Sequence, residues 1–118
     1  MEHELRAAIA FICGSRFIKT AIRLYDDHQG KYIPYNIQRN KIGFNLYDYD
    51  RKTYLNGNDS YIYDYQTKTY TYIVYTGNCF SGTHCESNTN FTGVVTGGLI
   101  CITEWCSNEC KTYSYHIH

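Results

Sequence analysis

The spacing of apolar residues changes once along this chain, from a helical period to a period of two. Leu5, Ala8, Ile9 and Ile12 fall at i, i+3, i+4 and i+7, and Gly14 stands where a helix would stop, so residues 2–13 read as one short amphipathic helix packed on a sheet. From Arg16 the alternation is that of half-buried strands, with Ile18, Ile22 and Leu24 on one side of an extended run over 16–24 and Lys19 and Arg23 on the other. Further extended runs are expected at 32–37, 41–48, 52–55, 60–65 and 68–75, separated by polar turns. The sharpest turn signal is Asn56-Gly57, because a type I′ turn needs positive φ at two successive residues. Pro34 has no N–H to give to a ladder and is expected on an edge strand or at a bulge. Residues 76–92, rich in Gly, Asn, Ser and Thr, read as a looser loop that holds Cys79 and Cys85. Two last strands, 94–106 with a bulge or bend at Gly97-Gly98 and 110–118, are expected to form a hairpin over Ser107-Asn108-Glu109.

The strands repeat. LYDDHQGKY at 24–32, LYDYDRKTY at 46–54 and IYDYQTKTY at 62–70 spell nearly the same nonapeptide, and KTYSYHI at 111–117 repeats its second half. Each copy places an apolar residue and a tyrosine before an aspartate, then turn residues, then a second extended run, which describes strand, tight turn, strand. The copies loosely resemble the tyrosine–aspartate hairpin repeats of bacterial wall-associated and toxin-shell proteins, without the Gly-Arg that follows the turn there. Short links and little helix predict a mainly β single domain over 1–118: a helix at 2–13, repeated hairpins at 16–75, the cysteine-bearing loop at 76–92 and a C-terminal hairpin at 93–118. The expected architecture is an antiparallel meander of about eight strands, a curled sheet or small barrel with the helix plugging one face or end.

Composition narrows the partners. At 118 residues and 43% hydrophobic the chain fills one core. Eleven basic and eleven acidic side chains cancel, leaving no field to draw the protein to a phosphate backbone or an anionic bilayer, so neither nucleic acid nor membrane is expected as a partner. The apolar stretch at 7–13 is far shorter than the about 20 residues a membrane span needs. Glu2 and Glu4 precede it where a secretory leader would carry basic residues, so no signal peptide is read.

The cysteines are Cys13, Cys79, Cys85, Cys101, Cys106 and Cys110, an even number that leans toward disulfides and an extracellular or cell-surface setting. Cys106 with Cys110 would bridge two hairpin arms and Cys79 with Cys85 would close the loop. Cys13 and Cys101 would then be buried thiols, or a pair tying helix to sheet. As metal ligands, Cys106, Cys110, His116 and His118 match no usual zinc spacing, so exposed strand histidines are the better reading and neither metal nor cofactor is expected. His84 adjoins Cys85, but neighbours on an extended chain point to opposite faces. Asp26, Asp48 and Asp64 recur at turn starts, where aspartate accepts hydrogen bonds from the turn backbone and no chemistry is needed. Asp48 and Asp50 offer calcium two ligands where about six are required.

Tyrosine, at 14 residues, is the remaining chemical signal. Tyr61, Tyr63 and Tyr65 share one side of their run, and Tyr70 and Tyr72 share a side across the turn, so an aromatic ladder is expected, with Tyr47 and Tyr49 extending it. Such rings either cover the rim of a core with their hydroxyls in water, or form a platform for a sugar, a peptide or another copy of the chain. With no catalytic constellation, the expected function is that of a non-enzymatic structural or interaction protein working through this surface. Self-assembly as an oligomer, coat or fibre subunit leads, with another protein or a glycan as the other partners. The alternatives are an inhibitor or immunity-type binding module, and a small nuclease-like toxin using the C-terminal histidines.

Overall fold

A computed structural model describes residues 1–106 and 109–118, with the side chain of Cys106 outside that description, as are Ser107 and Asn108 of the expected last turn. The elements are α1 (His3–Gly14), β1 (Arg23–Asp26), β2 (Lys31–Arg39), β3 (Phe44–Asp48), β4 (Thr53–Gly57), β5 (Tyr61–Asp64), β6 (Thr69–Thr76), β7 (Cys79–His84), β8 (Thr89–Thr96), β9 (Leu99–Cys106) and β10 (Glu109–Ile117). Every strand pairs antiparallel with its neighbours in sequence, and β1 pairs with β10 through Leu24 opposite Ile117, so the meander closes into a barrel. The mainly β fold with one N-terminal helix is therefore as expected, with ten strands in place of about eight.

The two additional strands come from the segment read as a loop. In β7 and β8 the inward positions hold Phe80, His84, Thr89, Phe91 and Val95, while the outward ones hold Ser, Thr and Asn. That outward polarity hid the alternation. Gly97-Gly98 is likewise not a bend within one strand but the two-residue turn joining β8 to β9, with Gly97 at φ 59°, as the first position of a type II′ turn requires. Asn56-Gly57 lies inside β4, and the turn follows it: Asn58 Oδ1 accepts from Ser60 N (2.7 Å) and Tyr61 N (3.3 Å). The expected first strand over 16–24 is mostly connection. Turn bonds such as Phe17 N to Gly14 O (3.0 Å) and Ala21 N to Ile18 O (3.2 Å) carry the chain out of the barrel before β1 begins. Pro34 sits on no edge, because β2 is paired on both sides; the N–H it lacks faces β3, whose pairing starts one residue later at Tyr35.

The helix does not lie on a sheet but inside the barrel. Its second face, Ala7, Ala10, Phe11 and Cys13, is as apolar as the first, and a helix apolar all round must be buried. Residues from Ala7 to Cys13 are 0% exposed. Phe11 packs on Tyr35 of β2 (4.8 Å between rings), Cys13 Sγ lies 3.6 Å from Tyr75 Oη on β6, and Arg6 stacks 3.6 Å over Tyr113 of β10. Three alanines keep the helix thin. The wall also makes room: inward Gly82 and Gly93 stand opposite Phe91 and Phe80, whose rings cross them in the space a Cβ would take. At the helix C-terminus the Ile12 carbonyl accepts from Arg39 Nη2 (2.6 Å) and Ser15 Oγ (3.1 Å), which satisfies a carbonyl the helix leaves open and sets a cation at the negative end of its dipole.

Candidate functional site

The turn aspartates are structural. Asp26 Oδ1 accepts from His28 N (2.9 Å) and Gln29 N (3.0 Å), Asp48 Oδ1 from Asp50 N (3.1 Å) and Arg51 N (3.2 Å), and Asp64 Oδ1 from Gln66 N (3.0 Å). Each loop ends on a residue with positive φ: Gly30 at 67°, Lys52 at 54°, Lys68 at 58°. The same loop occurs once more, unrecognised in the sequence, where His84 takes the aspartate's place and Asn88 takes the positive φ of 52°. Even the hydroxyl pair recurs, Thr67 with Thr69 and Ser87 with Thr89, both at 2.7 Å. Glu104 stands at the matching inward position of β9 and bonds Arg6 of the helix (2.8 Å). Arg51 turns inward and joins two loops, its Nε donating to Asp48 (2.9 Å) and its Nη1 to Asp64 (2.8 Å). Asp50, by contrast, is at the surface beside Lys31 (3.3 Å), so Asp48 and Asp50 do not face a common ligand.

No disulfide exists among the described residues. Cys79 and Cys85 bracket β7 at opposite ends, about 20 Å apart at 3.3 Å per residue, so they cannot bridge. Cys13 is enclosed in the barrel, whereas Cys101 alternates outward between buried Ile100 and Ile102. Cys110 is a free thiol opposite Trp105, while Cys106 is paired in register with Glu109. The cysteine count therefore lends no weight to an oxidising compartment. No described helix is long and apolar enough to cross a membrane.

The histidines and cysteines do not converge. Cys110 lies near the start of β10 and His116 near its end, so the C-x3-C-x5-H-x-H set is strung along a strand, and no group of three possible metal ligands forms among the described residues. His116 Nε2 lies 3.1 Å from Asp27, which also accepts from Ser114 Oγ (2.6 Å), and His118 rests edge-on against Tyr32 (5.7 Å). His84 points inward, bonded to Ser87 (2.7 Å) and Thr69 (3.2 Å), and burial holds its imidazole below the ordinary value. Cys85, beside it in sequence, is exposed. Burial pushes the Cys13 thiol up to about 12, so it stays protonated near neutral pH and is no nucleophile there.

What the fold does bring together is the outer face of the wall. Tyr47, Tyr61, Tyr63, Tyr70 and Tyr72 occupy outward strand positions, and Tyr49 and Tyr65 follow at strand ends. Tyr61, Tyr63, Tyr65, Tyr70 and Tyr72 form a chain of ring contacts: Tyr63 meets Tyr65 at 4.8 Å and Tyr70 at 4.7 Å, and Tyr70 stacks with Tyr72 at 6.4 Å. Tyr47 is edge-on to Tyr49 (5.0 Å) and to Tyr54 (4.8 Å) in a separate trio. Asn56 links the two groups by donating to Tyr65 Oη (2.8 Å). Tyr54 was not singled out in the sequence, although its alternation with buried Leu55 and its place opposite Tyr47 follow from the hairpin count. Trp105, Val74, Asn36, Gln38 and Asn45 are further exposed residues of this wall.

The wall has a second property. Among the described residues, the outward strand positions from β2 to β9 carry no Lys, Arg, Asp or Glu. The charged side chains stand in the helix, the connections and turns, the barrel interior, β1, the start of β10 and the two end positions of β2 instead. The chain matches no protein-family model, no curated protein and no solved structure.

Proposed function

We propose that this chain is a non-enzymatic interaction protein: the helix-filled barrel is a rigid support, and the uncharged, tyrosine-rich outer wall is the surface that associates. The charge-free wall carries this reading. Soluble surfaces of this size ordinarily mix about 25–35% charged residues of both signs over every face, whereas the outward positions from β2 to β9 hold an uncharged field of Tyr, Asn, Gln, Ser and Thr, with apolar side chains such as Val74, Val94 and Trp105 among them. Those are the residues of adaptable binding surfaces, since tyrosine offers large contact area at low entropic cost and amides and hydroxyls adjust their hydrogen bonds. The same polarity is unsuited to a lipid-facing band.

Self-assembly is the second reading, favoured by a formal net charge of 0 and by the lack of like charges to hold two walls apart. Growth by strand addition has no support, because a closed barrel offers no open edge. Copies would have to meet wall to wall. Substituting Tyr54→Lys, Tyr63→Lys and Tyr72→Lys together tests both versions. Co-purification of a partner from the native source, or a dimer in sedimentation velocity, is expected for the parent and lost in the variant with its circular dichroism unchanged. Association that survives three wall charges would overturn the proposal.

A further inference from the structure

We infer that the part of this wall formed by β2, β3 and β4 is a subsite for a neutral glycan chain; the inference rests on the wall-binding reading above and names its ligand. Asn36, Gln38, Asn45, Tyr47, Tyr49 and Tyr54 line a groove of about 240 Å³. That is below the about 300–1,000 Å³ of pockets for drug-sized ligands and suits one sugar ring. Tyr49 and Tyr54 are 48% and 49% exposed, and Tyr47, edge-on to both, props them from beneath. A pyranose presents an apolar C–H face that a phenol ring covers, and a rim of vicinal hydroxyls that each donate and accept.

The amides supply the complement to that rim. Gln38, Asn45 and Asn56 stand opposite one another on three consecutive strands, about 4.8 Å apart. The neighbouring row on the same face runs Asn36, Tyr47, Tyr54. A planar amide offers a donor and an acceptor side by side, the fork that fits two adjacent hydroxyls. An aromatic row beside an amide row therefore addresses both aspects of one sugar ring. A second groove, of about 520 Å³, shares Gln38 and Asn45 with the first and continues to Asn56 and Tyr61. The continuity points to a chain of sugars.

Charge selects among ligands. Neither row contains a charged side chain, and Arg39, the one cation lining the second groove, is turned to the Ile12 carbonyl and Ser15 Oγ, so a phosphorylated, sulfated or uronic ligand would give up its hydration with no free cation to replace it. An extended peptide would seek an open strand edge to satisfy its backbone, and the closed barrel has none.

The test is affinity electrophoresis of the full chain through native gels containing hydroxyethylcellulose, galactomannan or soluble starch, with polygalacturonate as the anionic comparison. Retardation by at least one neutral polymer is expected, independent of salt and absent with polygalacturonate. Tyr54→Ala and Asn45→Ala should each weaken it about tenfold, the loss of one anchoring contact, while Glu86→Ala in the β7–β8 turn leaves it unchanged. Migration unaffected by all three neutral polymers, or retarded equally in Tyr54→Ala, overturns the inference. Failure in the gels with the triple-lysine variant still abolishing association would remove the glycan and leave the wall reading standing; loss of neither effect would remove both.

Discussion

Arg51 shows how this barrel manages buried charge. Its guanidinium lies between Asp48 and Asp64, at 2.9 and 2.8 Å and almost wholly enclosed, so one cation serves two buried carboxylates and ties the turns of successive hairpins. Replacing Arg51 with Ala leaves two buried carboxylates without their cation, a change that costs about 3–5 kcal/mol; urea denaturation should show that loss, and a loss under about 1 kcal/mol would mean that water reaches the site. His84 gives the pH dependence its sign. Buried and held below its ordinary value of 6.5, it stays neutral in the folded chain while the unfolded chain takes up a proton. Its contribution is complete above pH 6.5 and is lost as the pH falls from there toward its depressed folded value. His84→Gln should therefore flatten the stability profile between about pH 7 and pH 5, and an unchanged slope would assign the effect to another group. The thiols make a simpler case: iodoacetamide should label Cys79, Cys85 and Cys110 in the native protein, and Cys13 only after unfolding, as peptide mapping by mass would record.

At the scale of elements, three hairpins were legible because Leu-Tyr-Asp and Ile-Tyr-Asp put apolar, outward and turn residues in a fixed order. The fourth, Thr83-His84 through Asn88-Thr89, has the same geometry but replaces Tyr by Thr and Asp by His, so only the geometry reveals it. The helix was legible as a helix, but its location was not. Four positions at helical spacing describe one apolar face, but Ala7, Ala10, Phe11 and Cys13 make the remaining surface apolar too, and that takes the helix from plugging a face or end to lying enclosed within the barrel. The glycine–phenylalanine crossings were beyond reach, because they depend on β7–β8 register. They can be tested: Gly93→Ala should destabilise by about 1–3 kcal/mol through overpacking against Phe80. Adding Phe80→Leu should restore part of it, and a double variant no more stable than the single one would contradict the crossing.

For the whole molecule, the sheet closes on itself around the helix, and closure decides what the surface can do. Backbone groups are paired all the way round, so association falls to side chains. All seven tyrosines singled out from the sequence lie on or beside the outward face, but their partners in the grooves, Tyr54 and the amide row, emerge only once strands are placed side by side. The absence of charge from the outward positions of β2 to β9 was hidden because eleven positive and eleven negative side chains spread along the chain give no hint of which positions face outward. Hydroxyl-radical footprinting of the wall tyrosines tests the central claim most directly, comparing the purified protein with the same protein left in its native material. Tyr54, Tyr63, Tyr70 and Tyr72 should be modified readily when purified and protected in place, while exposed Phe17, in the connection between α1 and β1, is modified in both. Equal modification of all five in the two samples would contradict the account.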